Sequence, residues 1–191
     1  ENGTQQQTIT IIDDDSQTVN VTLSVSPLSI TEAAGASTVS AILSAVSDQA
    51  VTVVLAASGT ATGGGTDYTL SSSTITIPPG QTTGTTTVTA VQDVLDEINE
   101  TVVLDITDVV NGTENGTQQE TITITDDDDP PTVNLSINPS SIAEAGGVST
   151  VTATLNAVSG QDVTVALSYI QGLDEQFSYT NWRVNEPNNT N

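Results

Sequence analysis

The sequence predicts an all-β protein built as an antiparallel β-sandwich. Short segments in which Val, Ile and Leu alternate with Thr and Ser recur along the chain, and this period of two is typical of strands with one buried face. Turns rich in Gly or Pro separate these segments, and no stretch shows helical periodicity. Hydrophobic residues make up only 35% of the chain, which suits thin sheets better than a bulky core. A small closed barrel is the second architecture that fits this spacing.

The central part of the chain predicts about seven strands, taken in order. The first should end before Pro27 and the fourth before Pro78, because proline cannot donate a hydrogen bond to the next strand. The glycine-rich residues 59–65 predict a flexible turn. The alternating apolar positions fall within residues 19–25, 39–43, 51–55, 75–77, 88–90, 102–106 and 122–124.

The chain also repeats itself. Residues 1–15 read ENGTQQQTITIIDDD and residues 114–128 read ENGTQQETITITDDD, while residues 132–168 copy residues 18–56. Such a repeat indicates tandem units. We therefore expect residues 1–15 to be the terminal strand of a preceding repeat or a donor strand, 16–129 to be a complete sandwich, and 130–191 to be the first part of a second sandwich with a divergent tail.

The charge balance excludes several functions. The chain has 24 acidic residues against one basic residue, Arg183, and a net charge of −23, so it is repelled by nucleic acid and by anionic membrane surfaces. No apolar run of about 18 residues suggests membrane insertion. Without His, Cys or Lys a nucleophile has no usual base, so we do not expect an enzyme. An extracellular or cell-surface location fits this composition.

Several motifs together resemble the Calx-beta repeat, the module of the sodium/calcium exchanger's regulatory loop and of many surface adhesins. They are an early Glu32, GTATGGGTDY (59–68), IPPGQ (77–81), QDVLDEINETVVL (92–104) and ITDDDD (124–129). The resemblance implies a seven-stranded immunoglobulin-like sandwich with calcium bound by the loops at one end. The calcium ligands it implies are Glu32, Asp67, Asp93, Glu97, Asp126, Asp127 and Asp128.

The clustered acids allow two interpretations, a calcium site and a solvated linker. Ca²⁺ takes six to eight oxygen ligands, and clustered carboxylates without basic neighbours supply them. The sequence departs from the family at Gln92 and Val94, which flank Asp93 where family members that bind calcium well often carry a second Asp, and at Ile98, which replaces a common Gly. These departures favour a weak or single site. The alternative is that residues 126–129 form a solvated linker stiffened by the two following prolines.

Two further features concern sugars. Among the Asn-x-Ser/Thr sequons we favour Asn2, Asn111 and Asn115 for N-linked glycans, although Asn-Gly is also a common turn, and the many Thr residues suit O-linked glycans. Residues 177–189, FSYTNWRVNEPNN, resemble the core of C-type lectin domains. That resemblance implies that Glu186 and Asn188 bind calcium and sugar hydroxyls, but the rest of a lectin domain is missing from the sequence. The alternative for this tail is a loop anchored by Trp182.

The sequence thus predicts a structural protein, a subunit of a glycosylated filament or of a surface adhesin or stalk, with calcium at acid-rich joints. Its partners would be copies of itself in a head-to-tail polymer, in which residues 1–15 of one copy complete the open unit 132–168 of the next by strand addition. The simpler alternative is that the chain is a segment of a longer repeat protein. The competing class is a calcium-dependent module that binds carbohydrate or another ligand.

Overall fold

A computed structural model describes residues 3, 6–11, 18–33 and 35–169 of the chain. The chain divides into two compact units. The first comprises the chain up to Val91 together with Glu100–Ile124, and the second comprises Gln92–Asn99 together with the chain from Thr125 onward. None of the described residues is helical, and the predicted all-β class is confirmed.

The first unit consists of two five-stranded sheets. In spatial order, one sheet contains β5 (Tyr68–Leu70), β7 (Thr83–Ala90), β3 (Ala36–Leu43), β1 (Asn20–Ser26) and β9 (Thr113–Glu114). The other contains β2 (Ser29–Thr31), β10 (Gln119–Thr125), β8 (Glu100–Val110), β4 (Val51–Gly59) and β6 (Thr74–Ile77). The long strands pair antiparallel, whereas β9 pairs in parallel with β1. Both sheets are open, so the barrel alternative is wrong and the sandwich is confirmed.

The core lies between the inward faces of these two sheets. The alternation read from the sequence decides which side chains enter it: Val21, Leu23 and Val25 of β1 are buried, as are Ile122 and Ile124 of β10, and all belong to one apolar cluster. The intervening Thr and Ser residues face outward, as expected for strands with one wet face. Burial of this apolar stripe is the main term that holds the sandwich together.

All seven predicted strands form, and the prolines end β1 at Ser26 and β6 at Ile77 as expected. Three further strands, β2, β5 and β9, were not predicted. Each contains only two or three residues, which is too short for an alternating pattern to be read from the sequence. Their positions are set by the longer strands beside them.

The second unit contains a two-stranded sheet of β11 (Val133–Asn138) and β12 (Thr150–Leu155). This pair repeats β1 and β3: Val133 lies opposite Leu155 as Val21 lies opposite Leu43. The loop after the first strand repeats as well, because Ser149 Oγ donates to the Pro139 carbonyl (2.6 Å) as Ser37 Oγ does to the Pro27 carbonyl (2.7 Å). Burial does not repeat, since the strand residues of β11 are exposed.

Candidate functional site

The loop Gln92–Asn99 presents the first of the clustered acids. Asp93 is half-buried, and its Oδ1 accepts a hydrogen bond from the Leu95 N–H at 2.8 Å. The Gln92 side chain donates to the Asp93 carbonyl, also at 2.8 Å. These local bonds give the loop a defined turn and hold the Asp93 carboxylate in place, an arrangement typical of Asx turns.

A second acid of the same loop, Asp96, is buried and anchors the loop within the second unit. Its Oδ2 accepts a hydrogen bond from Ser159 Oγ (3.2 Å), and its Oδ1 accepts one from Gln161 Nε2 (3.4 Å). The Asp96 carbonyl also accepts from the Gly160 N–H at 3.0 Å. Buried carboxylates need such donors, because an unpaired buried charge is costly. Asp96 therefore positions the loop that carries Asp93.

The acid run that follows β10 meets this loop inside the second unit. The Asp126 N–H donates to Asn99 Oδ1 at 3.2 Å. Carboxylate oxygens of Asp93 and Asp128 lie within 4.8 Å of one another. Asp126 Oδ1 and Asp128 Oδ2 are closed off from solvent and receive no hydrogen bond from the described residues. We call Asp93, Asp126, Asp127 and Asp128 the second-unit acid cluster.

The electrostatics of this cluster are repulsive. Burial of the Asp128 carboxyl raises its pKa above the ordinary value of 3.8. The negative charges of four neighbouring carboxylates raise this pKa further, namely Asp127, Asp126, Asp93 and Asp129. The only basic residue of the chain, Arg183, lies outside the described residues. Closely spaced carboxylate oxygens, two of which receive no hydrogen bond from the described residues, have the chemistry that a hard divalent cation requires, so the residues present fit Ca²⁺.

Three further acids, Glu32, Asp67 and Glu100, belong to the first unit. Glu32 is buried in the turn directly after β2. Asp67, also buried, stands before β5, and its Oδ2 accepts a hydrogen bond from the Thr62 N–H. Carboxylate oxygens of Asp67 and Glu100 lie within 4.8 Å of one another. Glu100 is the first residue of β8 and was not among the predicted ligands.

The seven predicted ligands thus fall in both units. Four of them, Asp93, Asp126, Asp127 and Asp128, make up the second-unit acid cluster, in which Asp127 is exposed. Glu97 is half-buried in the same loop as Asp93. Sequence reasoning missed Asp96, because nothing in the motif QDVLDEINE separates a buried anchoring acid from a ligand. It missed Glu100 because the alternating pattern predicts that a strand begins there but does not predict that its carboxylate lies close to that of Asp67.

Two of the favoured sequons are exposed. Asn111 adopts a positive φ of 62° in the turn after β8, and its Nδ2 donates to the Ala50 carbonyl at 2.8 Å. Asn115 lies beyond β9, and its N–H donates to the Val21 carbonyl at 2.9 Å. Asn2 lies outside the described residues, as do Glu186 and Asn188 of the lectin-like tail. The glycan and sugar-site expectations remain predictions.

The comparison with protein families matches the two copies in turn. The profile of the Calx-beta domain matches residues 13–128 and again residues 126–173. The chain belongs to the Calx-beta domain family. The second Calx-beta match begins within the acid run that ends the first, so this run lies where two successive domains meet in the sequence.

Three solved structures illustrate what this chain is similar to. The apo form of the Calx CBD1 domain is 21% identical with a TM-score of 0.49, and the match covers 59% of this chain and 100% of that one. CBD12 from CALX1.2 is 19% identical (TM-score 0.47), with 56% of this chain and 45% of that chain covered. The calcium binding domain CBD12 of CALX1.1 is 22% identical (TM-score 0.46), with 52% and 41% covered. A comparison with curated proteins finds no match. Over its described residues, this Calx-beta chain has no helix with the length and apolar character to cross a membrane.

Proposed function

We propose that this Calx-beta chain is an extracellular structural repeat protein, a glycosylated subunit of a filament or of a surface adhesin or stalk, and that Ca²⁺ bound by the second-unit acid cluster orders the acid run between its repeats. The observation that carries the calcium part is the approach of Asp93 and Asp128 within 4.8 Å. Like charges so close in a partly buried setting repel each other unless a cation lies with them.

The donor set favours Ca²⁺ over other metals. Its carboxylate oxygens are hard ligands, and the chain contains no Cys or His to recruit softer metals. The family resemblance adds Glu32, Asp67 and Glu97 as further candidate ligands. When bound, Ca²⁺ supplies the positive charge that this acidic chain lacks. Asp96 would not be a ligand in this proposal, because its two oxygens already accept hydrogen bonds from Ser159 and Gln161.

Two features of the sequence support a structural role, namely the repeated acid-rich segment and the amino-acid composition. Each of the two Calx-beta matches begins with three consecutive aspartates, at residues 13–15 and 126–128, and the composition offers no usual nucleophile–base pair. The exposed sequons at Asn111 and Asn115 suit a glycan coat, and a surface rich in Thr and Asp suits an exposed, soluble assembly. A non-catalytic role therefore remains our expectation.

Calcium titration of the full chain by isothermal calorimetry tests the site. The double variant Asp93→Asn/Asp128→Asn should weaken Ca²⁺ binding by about tenfold or more, which corresponds to roughly 1.4 kcal/mol. The matched control is Asp48→Asn/Asp108→Asn, which removes the same charge from two exposed positions. Equal loss in both variants would show that net charge, and not the cluster, attracts the cation.

Electron microscopy of the native material with and without EGTA tests the structural role. We expect ordered filaments or stalks whose straightness decreases when EGTA removes calcium. Dispersed particles under both conditions would contradict the filament proposal. Binding to a glycan array that depends on Glu186 and Asn188 would instead favour a ligand-binding module.

A further inference from the structure

The β11–β12 sheet presents an apolar face that its first-unit counterpart buries. Leu135 and Ile137 of β11 are 54% and 58% exposed, although they stand on the same side of the strand. Their counterparts on β1, Leu23 and Val25, are only 2% and 7% exposed. The sequence pattern is the same in the two copies, so the difference comes from what covers each sheet.

The edge beside this face is also incomplete. In the first unit, β2 is the neighbour of β10, and the Thr123 N–H of β10 donates to the Leu28 carbonyl at 2.9 Å. Ile30 of β2 is buried there. In the second unit, the corresponding residues around Ile142 form no strand, and Ile142 is exposed. The second unit therefore lacks, among the described residues, the strand that β10 supplies to the first.

The chain carries a second copy of that strand. Residues 6–11 read QQTITI, and residues 119–124 of β10 read QETITI. Ile9 and Ile11 of this segment are 88% and 91% exposed and lie in no strand, whereas their counterparts Ile122 and Ile124 are buried in the core. Gln7 replaces Glu120 of β10, so the copy carries no charge and adds no repulsion to an acidic chain.

From these three observations we infer that residues 6–11 of one copy occupy, in the second unit of another copy, the position that β10 occupies in the first unit. Ile9 and Ile11 cover the side of β11 that bears Leu135 and Ile137, and the backbone pairs with the segment around Ile142. The template for this docking is the chain's own first unit. Among the described residues the donor segment and the acceptor face belong to different parts of the chain, so repeated docking between copies gives a head-to-tail polymer. This inference rests on the proposed structural role and names the contact that joins its subunits.

The donor side is tested with Ile9→Asp/Ile11→Asp in the full chain. The control, Thr8→Asp/Thr10→Asp, adds the same charge to the opposite face of the segment. We expect the isoleucine variant to sediment as a monomer and to form no filaments, while the control assembles like the unmodified chain. Both isoleucines are exposed, so the sandwich should fold, and circular dichroism of each variant checks that it does.

The acceptor side is tested with Leu135→Asp/Ile137→Asp, against Asn134→Asp/Ser136→Asp on the other face of β11. The acceptor variant alone should also be monomeric. Mixing it with the donor variant should give one-to-one dimers that grow no further, because the mixture contains one working donor and one working acceptor. This dimer is the result that only strand donation predicts.

Two results would overturn the inference: polymers formed by the isoleucine variant, or monomers only when the two variants are mixed. Its failure is distinguishable from failure of the calcium proposal, because calorimetric Ca²⁺ binding is measured on the same variants. The donor and acceptor substitutions should leave that binding within about twofold of the unmodified chain, since none of them replaces a residue of the second-unit acid cluster.

Discussion

Ser159 Oγ donates a hydrogen bond to the buried carboxylate of Asp96 at 3.2 Å, and this contact ties the loop Gln92–Asn99 to a turn some sixty residues further along the chain. The Gly160 N–H reinforces it by donating to the Asp96 carbonyl. Because Asp93 belongs to the same loop, the arrangement of the candidate calcium ligands depends on a residue that is not itself a ligand.

Replacing Asp96 with Ala should therefore loosen the loop. Half-buried Ser159 and exposed Gln161 lose their acceptor. Because water can reach these donors, the cost should be about 1 kcal/mol. Hydrogen exchange should show faster exchange of the Gln92–Asn99 amides, and Ca²⁺ affinity should decrease in parallel. The exposed Asp162 serves as a control: Asp162→Ala should change neither quantity. Unchanged exchange in Asp96→Ala would contradict an anchoring role.

Stability should depend on pH through Asp128. A raised pKa means that the folded state binds this proton more tightly than the unfolded chain does. The resulting stabilisation is full below the unfolded value near 3.8 and is lost as the pH rises through the raised pKa. In EGTA at pH 7, Asp128→Asn should therefore have a higher free energy of unfolding than the unmodified chain. The difference between the two proteins should vanish near pH 3. In saturating Ca²⁺ at pH 7, the unmodified chain should be the more stable of the two proteins.

Urea denaturation of both proteins across this pH range, with and without Ca²⁺, measures the effect. The difference between the two proteins isolates Asp128 from the other acids. If the unmodified chain were the more stable protein in EGTA at pH 7, the charges around Asp128 would already be compensated without calcium.

The repeated serine hydrogen bond offers a matched pair of variants. Ser37 is fully buried and its Oγ donates to the Pro27 carbonyl, whereas Ser149 makes the same bond to Pro139 in a half-buried setting. Ser37→Ala should cost about 1–2 kcal/mol, because the part-buried Pro27 carbonyl loses its buried donor. Ser149→Ala should cost less, since water can replace the lost donor. Equal losses of unfolding free energy in urea would show that the two hydrogen bonds are equally shielded from water.

Two glycines with positive φ should differ in their tolerance of a side chain. A Cβ on Gly59 (φ 117°) would lie 2.1 Å from the Thr101 carbonyl oxygen, where β4 pairs with β8, while a Cβ on Gly80 (φ 80°) meets nothing within 4 Å. Gly80→Ala should cost about 1–2 kcal/mol from the backbone conformation alone. Gly59→Ala should cost at least about 3 kcal/mol, because the strands must also separate. Thermal unfolding measures both, and equal shifts in Tm would exclude the clash.

Much of the fold follows from local pattern. The alternation of apolar residues located the long strands, and Pro27 and Pro78 marked where two of them end, because both signals act within a few residues of the chain. The candidate site was only partly accessible in this way. The acid run was evident, but the pairing of Asp93 with Asp128 brings together residues that are distant in sequence. The role of Asp96 depends equally on a partner far along the chain.

The clearest limit of the sequence is seen in β1 and β11. Alternation by itself determined that both are strands and which of their faces is apolar, since side chains on a strand point alternately to its two sides. Only the tertiary structure decided that Leu23 is buried and Leu135 exposed. Burial requires a second sheet to lie over the apolar face, and in the first unit the strands of that sheet come from distant parts of the chain.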